Sequence, residues 1–350
     1  MSDEGATYAG AGVDIAAGER AVDLMRGAVA STHRPEVVGG LGGFAGLFRL
    51  DAARYRDPLL ATSSDGVGTK VAIAQALDRH DTIGVDLVAM VVDDLVACGA
   101  EPLFLTDYIV CGTLVPERVA AIVRGIADGC RTAGCALLGG ETAEHPGQLG
   151  PDGYDLAGAA TGVVEADALL GPYRVREGDA LVALPSSGLH ANGYSLVRHV
   201  LLERAGLPLD AGVDELGGAS LGEVLLTPTR VHAPDCLALT RRVDVHAYAH
   251  VTGGGLEANL ARVLPPHLDA VVDRASWRPP PIFGLVAECG RIERAEMERT
   301  FNLGVGMVAV VGADDADHAL AILDTRGTPG RAIGTVTDGA GKVRMTGHHP

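Results

Sequence analysis

Aromatic residues are scarce in this 350-residue chain: they make up 4% of it, with a single tryptophan. A core must therefore be packed from alanine, valine, leucine and isoleucine. Hydrophobic residues still reach 47%, enough for a sizeable core and too many for a disordered chain. Positive charge is short as well. The balance of 28 basic against 45 acidic residues, a net −17, argues against nucleic acid and anionic membrane surfaces, because both demand a basic patch. A phosphorylated ligand stays open, since helix N-termini, Mg²⁺ and a few local cations can hold one. Lysine is rarer still, limited to Lys70 and Lys342. Lys342 lies in a Gly-rich polar tail, whereas Lys70 ends a glycine-punctuated loop that calls for a compact ammonium where arginine would not fit.

The six cysteines (Cys98, Cys111, Cys130, Cys135, Cys236 and Cys289) form no CxxC pair and no zinc-ligand spacing, so free thiols in a reduced compartment are expected. The opening Met1-Ser2-Asp3-Glu4 has neither the basic region nor the apolar core of a secretory signal. No apolar run approaches a membrane span. A cytoplasmic protein is the expectation.

At this length two α/β domains are expected, with strands alternating with helices in both halves (α/β or α+β). Leu59–Ser64 reads as a buried strand, Asp86–Ala97 as a helix and Leu103–Val110 as a strand. Pro116 opens a helix that Gly134 caps, and Cys135–Leu138 and Leu156–Val164 read as strands. The turn-rich Gly171 to Asp179 stretch marks the junction, which gives domains of 1–171 and 172–350. Beyond it come strand Ala180–Leu184, helices at Tyr194–Arg204, after Pro228, and at Leu256–Val263, and strands Val245–His250, Leu268–Val272, Val305–Val311 and Ala332–Val336. Two short helices fall between Phe283 and Arg299, and another near Ala316–Leu323.

Several strings can carry chemistry. Asp65-Gly66-Val67-Gly68-Thr69-Lys70 follows a strand and enters a helix; it reads either as a tight turn or as a phosphate loop with Lys70 as point charge. It lacks Walker A spacing. Asp93-Asp94, late in an apolar helix, either faces solvent or offers hard oxygen ligands to Mg²⁺ together with Asp65 and Glu141. Asp107, inside a strand pattern, could join them but reads rather as an exposed edge-strand residue. Gly139-Gly140-Glu141-Thr142 and Ser187-Gly188-Leu189-His190-Ala191-Asn192-Gly193 each end a strand; a histidine such as His190 is by default structural, and the other eleven are read as surface or core. Thr252-Gly253-Gly254-Gly255-Leu256-Glu257-Ala258 with Asp273 has the form of a dinucleotide fingerprint, but it follows several α/β elements rather than the first strand, which weighs against nicotinamide binding.

Together with Gly12–Ile15, Arg34–Val37, Gly39–Phe44, His80–Gly84 and Arg299–Asn302, these strings resemble the phosphoribosylformylglycinamidine cyclo-ligase (aminoimidazole ribonucleotide synthetase) family in order from Tyr8 to Val311. The resemblance implies a homodimer of two-domain subunits whose N-terminal sheets pair, with ATP bound by the first domain. It also implies closure of formylglycinamidine ribonucleotide to aminoimidazole ribonucleotide, with ADP and phosphate released. By the same resemblance Asp65 and Asp94 hold Mg²⁺, and Asp65, Gly66, Gly68, Thr69 and Lys70 bind the nucleotide. Gly42 and Gly43 belong to a flap over it. Lys70, Glu141 and His190 are catalytic, and Asn192, Thr252, Gly253 and Gly254 position substrate. Asp93 departs from a commonly seen Asn and adds charge beside the expected metal; His145, Leu149, Leu189 and Arg26 are further departures. Selenophosphate synthetases, which share the architecture, usually carry a reactive cysteine near the N-terminus, and here the first is Cys98.

Overall fold

The computed structural model describes residues 6–350. Helix α1 (Ile15–Ala30) precedes a small hairpin, then β1 (Pro58–Gly66), α2 (Ile83–Ala97), β2 (Glu101–Cys111), α3 (Pro116–Ala133), β3 (Ala136–Glu144) and β4 (Tyr154–Glu165). The four strands form a sheet of order β1-β4-β2-β3, parallel only between β2 and β3. α3 starts where proline supplies a first-turn residue without a wasted N–H, and it stops at Gly134, whose φ of 76° a side chain would strain. α2 and α3 cross closely because Gly84 carries no Cβ: one built there would lie 2.1 Å from the Ile126 nitrogen.

The second half contributes β5 (Ala180–Pro185), α4 (Tyr194–Val197), α5 (Ala233–Thr240), β6 (Val245–His250), α6 (Gly255–Ala261), β7 (Leu268–Asp273), α7 (Pro281–Gly290), α8 (Arg294–Thr300), β8 (Val305–Val311), α9 (Ala316–Thr325), β9 (Arg331–Asp338) and β10 (Val343–Thr346). The helix at Tyr194 continues in wider π form through Arg204. The six-stranded sheet runs β10-β7-β9-β5-β8-β6 and is antiparallel except at β10/β7. An antiparallel sheet with the Gly-rich turn after an edge strand is not a dinucleotide fold, so the fingerprint at Thr252 does not find its required setting. Alternate residues of β5 serve different cores: Val182 and Leu184 join the one that includes the first domain, Leu181 and Ala183 the one on the other face. All seven residues of β8 are buried between these layers.

The tail, read from sequence as a polar segment, instead supplies β10. Cys135–Leu138 proves to be the start of a strand that runs to Glu144, so Gly139–Thr142 lies within β3. β2 is an interior strand, so Asp107 is not at an exposed edge.

α2 is the element shared by both halves. It is buried nearly all round, one side on the first sheet and the other against α5 and β6. A helix this apolar fits only between two layers. Its carboxylates at Asp86 and Asp93 are buried as well, and both find partners in the second domain.

Candidate active site at the domain junction

Two separate regions hold the residues singled out above. The first lies where the C-terminal end of α2 meets the loops after β5 and β6. Asp65, half-buried at the end of β1, accepts the Gly66 N–H at 2.7 Å on Oδ1. Burial, then the negative charge of Asp94, raises its carboxyl above the ordinary range, despite the Gly66 bond. Asp94, its side chain 49% exposed, accepts a hydrogen bond from His250 Nδ1 at 2.8 Å. Burial pulls the His250 imidazole down, but the Asp94 bond and the charges of Asp93, Asp94 and Asp65 outweigh it and raise it above its usual value. His250 Nε2 is buried without a partner.

Across from these carboxylates, Asn192 Oδ1 accepts the Gly253 N–H at 3.1 Å, fastening the Thr252–Gly254 turn to the loop before α4. Buried Asn259 reaches the Gly253 and Gly255 carbonyls at 3.2 and 2.8 Å and holds that turn from below. Gly255 cannot carry a side chain, because a Cβ would lie 1.7 Å from the Glu298 carbonyl oxygen. Thr69 Oγ1 and Ser195 Oγ meet at 3.0 Å and join the loop after β1 to the start of α4. The junction thus brings together Asp65, Gly66, Gly68, Thr69, Asp94, Asn192 and Thr252–Gly254.

The second region lies at the opposite side of the first sheet. Cross-strand pairing sets Asp65, Gly158, Asp107 and Gly140 in one row, so β3 is three strands away from β1. There the Gly40–Gly46 segment, with Phe44 fully exposed, α1 and β3 enclose a cavity of about 620 Å³ that Asp107 and Glu141 line. Burial pushes the Asp107 carboxyl up to about 7. Glu141 is exposed and accepts the Thr142 N–H at 2.9 Å. Glu141, Gly42 and Gly43 therefore do not join Asp65 and Asp94 within this chain.

Lys70 and His190 are both buried rather than open to the junction. Lys70 has no solvent exposure, and its ammonium is engaged by Asp86 Oδ1 (2.8 Å) and the carbonyls of Thr227 (2.7 Å) and His190 (3.1 Å). With all three N–H donors used, it has none for a phosphate. His190 is buried too, and its Nε2 accepts the Ser187 N–H at 3.1 Å. Burial, then the charge of neighbouring histidines, keeps its imidazole well below the ordinary value and so neutral. It stands in its loop at a φ of 61°. Asp93 is buried rather than solvent-facing, and it accepts the His232 and Ala233 N–H groups at 3.0 and 2.8 Å, capping α5.

His250 is the residue that sequence reasoning missed. Its signal was position, a titratable side chain closing a strand directly before a glycine-rich turn, the same pattern that drew attention to His190. Among the described residues no three His, Cys, Asp or Glu side chains are grouped to hold a metal ion alone. Two neighbouring carboxylates, one of them raised by the charge of the other, nonetheless fit a cation completed by ligand oxygens and water.

Residues 46–164 match the family model described as AIR synthase related protein, N-terminal domain, and residues 176–346 its C-terminal counterpart. Phosphoribosylformylglycinamidine cyclo-ligase of Geobacillus kaustophilus is 52% identical over 334 residues, covering 95% of this chain and 96% of that protein. The enzyme of the same name from Anaeromyxobacter dehalogenans is 52% identical over 333 residues, again 95% and 96%. Among solved structures, thiamine-monophosphate kinase from Stenotrophomonas maltophilia aligns with a TM-score of 0.65 at 21% identity, covering 94% of this chain and 96% of that one. Hydrogenase maturation protein HypE in complex with ATP aligns at 0.65 and 21%, covering 94% and 90%. Identities this low show a shared fold and nothing finer.

Proposed function

The chain belongs to the AIR synthase related family and, within it, to the phosphoribosylformylglycinamidine cyclo-ligases; from that premise we propose that the domain junction is its active site. The reaction is the ATP-dependent cyclisation of formylglycinamidine ribonucleotide to aminoimidazole ribonucleotide, a step of purine biosynthesis. A formamide oxygen is a poor leaving group. Transfer of the γ-phosphoryl group to it creates a good one, the neighbouring amidine nitrogen attacks that carbon, and phosphate departs as the ring closes. Catalysis of such a transfer is mostly positioning and charge neutralisation.

The observation that carries the site is that Asp94 lies close enough for its charge to raise the Asp65 carboxyl, with the Asn192–Gly253 clamp at the same junction. Asp65 and Asp94 hold Mg²⁺ in this reading, which when bound neutralises phosphate charge. The His250 Nδ1–H fixes one oxygen of Asp94, and the other is left for the metal. Asn192 and the Thr252–Gly254 turn position the substrate. The Gly40–Gly46 segment lies against the separate cavity beside β3 and takes no part in this site. A second copy packs on the first sheet, whose face opposite α2 exposes Leu60 by 66% and Tyr108 by 41%. Six free thiols suit a reduced cytoplasmic setting. The test is turnover: ADP should be released from ATP and Mg²⁺ only with formylglycinamidine ribonucleotide present, in amounts equal to aminoimidazole ribonucleotide. ADP release that ignores the substrate would overturn the reading.

A further inference from the structure

We propose that Lys70 is a positioning residue that sets the geometry of the interdomain cleft by tying the Asp65–Thr69 loop to the Asn192 loop; this rests on the cleft being the active site. Lys70 directly follows Gly68 and Thr69, and its ammonium donates to acceptors on three other segments. These are Asp86 on α2, the His190 carbonyl two residues before Asn192, and the Thr227 carbonyl in the segment before α5. Three N–H donors meet three acceptors, and the Tyr194 ring lies 5.5 Å from the charge. Asp86 extends the tie, since the same Oδ1 also accepts the Thr229 N–H at 2.8 Å and the Thr229 hydroxyl at 2.6 Å, while Oδ2 has no partner.

One buried point charge therefore joins a first-domain loop, a first-domain helix and two second-domain segments. A planar guanidinium could not serve these acceptors, which is why lysine persists in a chain whose 28 basic residues include only two of them. Carbonyls and a carboxylate in a dry site hold their donor rigidly, because releasing it would leave buried polar atoms unpaired. Movement of the Asp65 side of the cleft is thereby passed to the Asn192 side.

A double-mutant cycle tests this, with Lys70→Met, Asp86→Asn and the combined variant, which buries no unpaired charge. Turnover is read by ADP release, and nucleotide affinity by calorimetry with a non-hydrolysable ATP analogue. Each single change should lower kcat by about 10–100-fold, the cost of misplacing reacting groups by a fraction of an ångström to an ångström. Analogue affinity should stay within about 3-fold, and the double variant should be no slower than the worse single one, because both act through one contact. Loss of analogue affinity in Lys70→Met, with normal Asp86→Asn and multiplicative effects, would overturn the proposal and return the ammonium to the nucleotide. Wild-type kcat in every folded variant would overturn it in favour of a purely structural pair. Where Lys70→Met or Asp86→Asn does not fold, Thr229→Val loosens the tie while keeping the ion pair. It should then lower kcat several-fold at unchanged analogue affinity, and an unchanged kcat would overturn the proposal. Wild-type protein inert toward formylglycinamidine ribonucleotide would instead sink the active-site reading, whatever the variants do.

Discussion

Asp93→Asn should stabilise the protein, and increasingly so as pH rises to about 7. Asp93 has no solvent exposure, and burial raises its carboxyl from 3.8 to about 7 against the pull of His250 and of the two backbone N–H groups it accepts. A raised acid binds its proton more tightly in the folded than in the unfolded chain. Its contribution is therefore fully present below the unfolded value and is lost as pH climbs to the folded one. That rise corresponds to about 4 kcal/mol of preference for the neutral carboxyl in the folded chain. Asparagine keeps an oxygen for the His232 and Ala233 N–H groups and has no proton to lose. In urea denaturation at fixed protein concentration, the variant's advantage over wild type should grow by about 2 kcal/mol between pH 5.5 and 7, then level off. A difference that stays flat across that interval would show that Asp93 is not held protonated by burial, and the reasoning would fail.

His190→Asn should cost about 1–2 kcal/mol of stability through loss of the Ser187 bond and packing beside His232, read as a lower melting temperature, while asparagine tolerates the left-handed backbone. Its kcat should stay within about 3-fold of wild type; a drop of the order of 10²-fold with unchanged melting would restore an acid–base role. Asn192→Ala frees the Gly253 turn, so KM for formylglycinamidine ribonucleotide should rise by about 10-fold with KM for ATP unchanged. An unaltered substrate KM would remove Asn192 from the substrate contacts.

Local rules made much of the fold legible. Pro116 and Gly134 bracket a helix because one fixes φ and the other accepts a positive φ, and Val305–Val311 reads as strand because it is apolar throughout. The short tail strand was hidden, since it is stabilised by pairing with β7 rather than by its own pattern. For the site, the strings with Asp65, Asp94, Asn192 and the Thr252 turn meet at one junction, whereas Glu141 lies apart from them, which sequence could not foresee because strand order is a long-range property. The scarcity of lysine rightly marked Lys70 as demanding a compact ammonium. What it could not supply was the partner: Asp86 sits 16 residues away on a helix that looked merely apolar.

The claim that the domain junction is the active site is tested most directly by metal binding, read independently of turnover. Mn²⁺ replacing Mg²⁺ can be titrated by electron paramagnetic resonance into wild type, Asp65→Asn and Asp94→Asn, each with a non-hydrolysable ATP analogue. Losing one of two carboxylates from a hard-cation site should weaken Mn²⁺ binding by about 10-fold or more in both variants, with fold retained. Wild-type Mn²⁺ affinity in both would contradict the account and move the metal, and with it the chemistry, away from the junction.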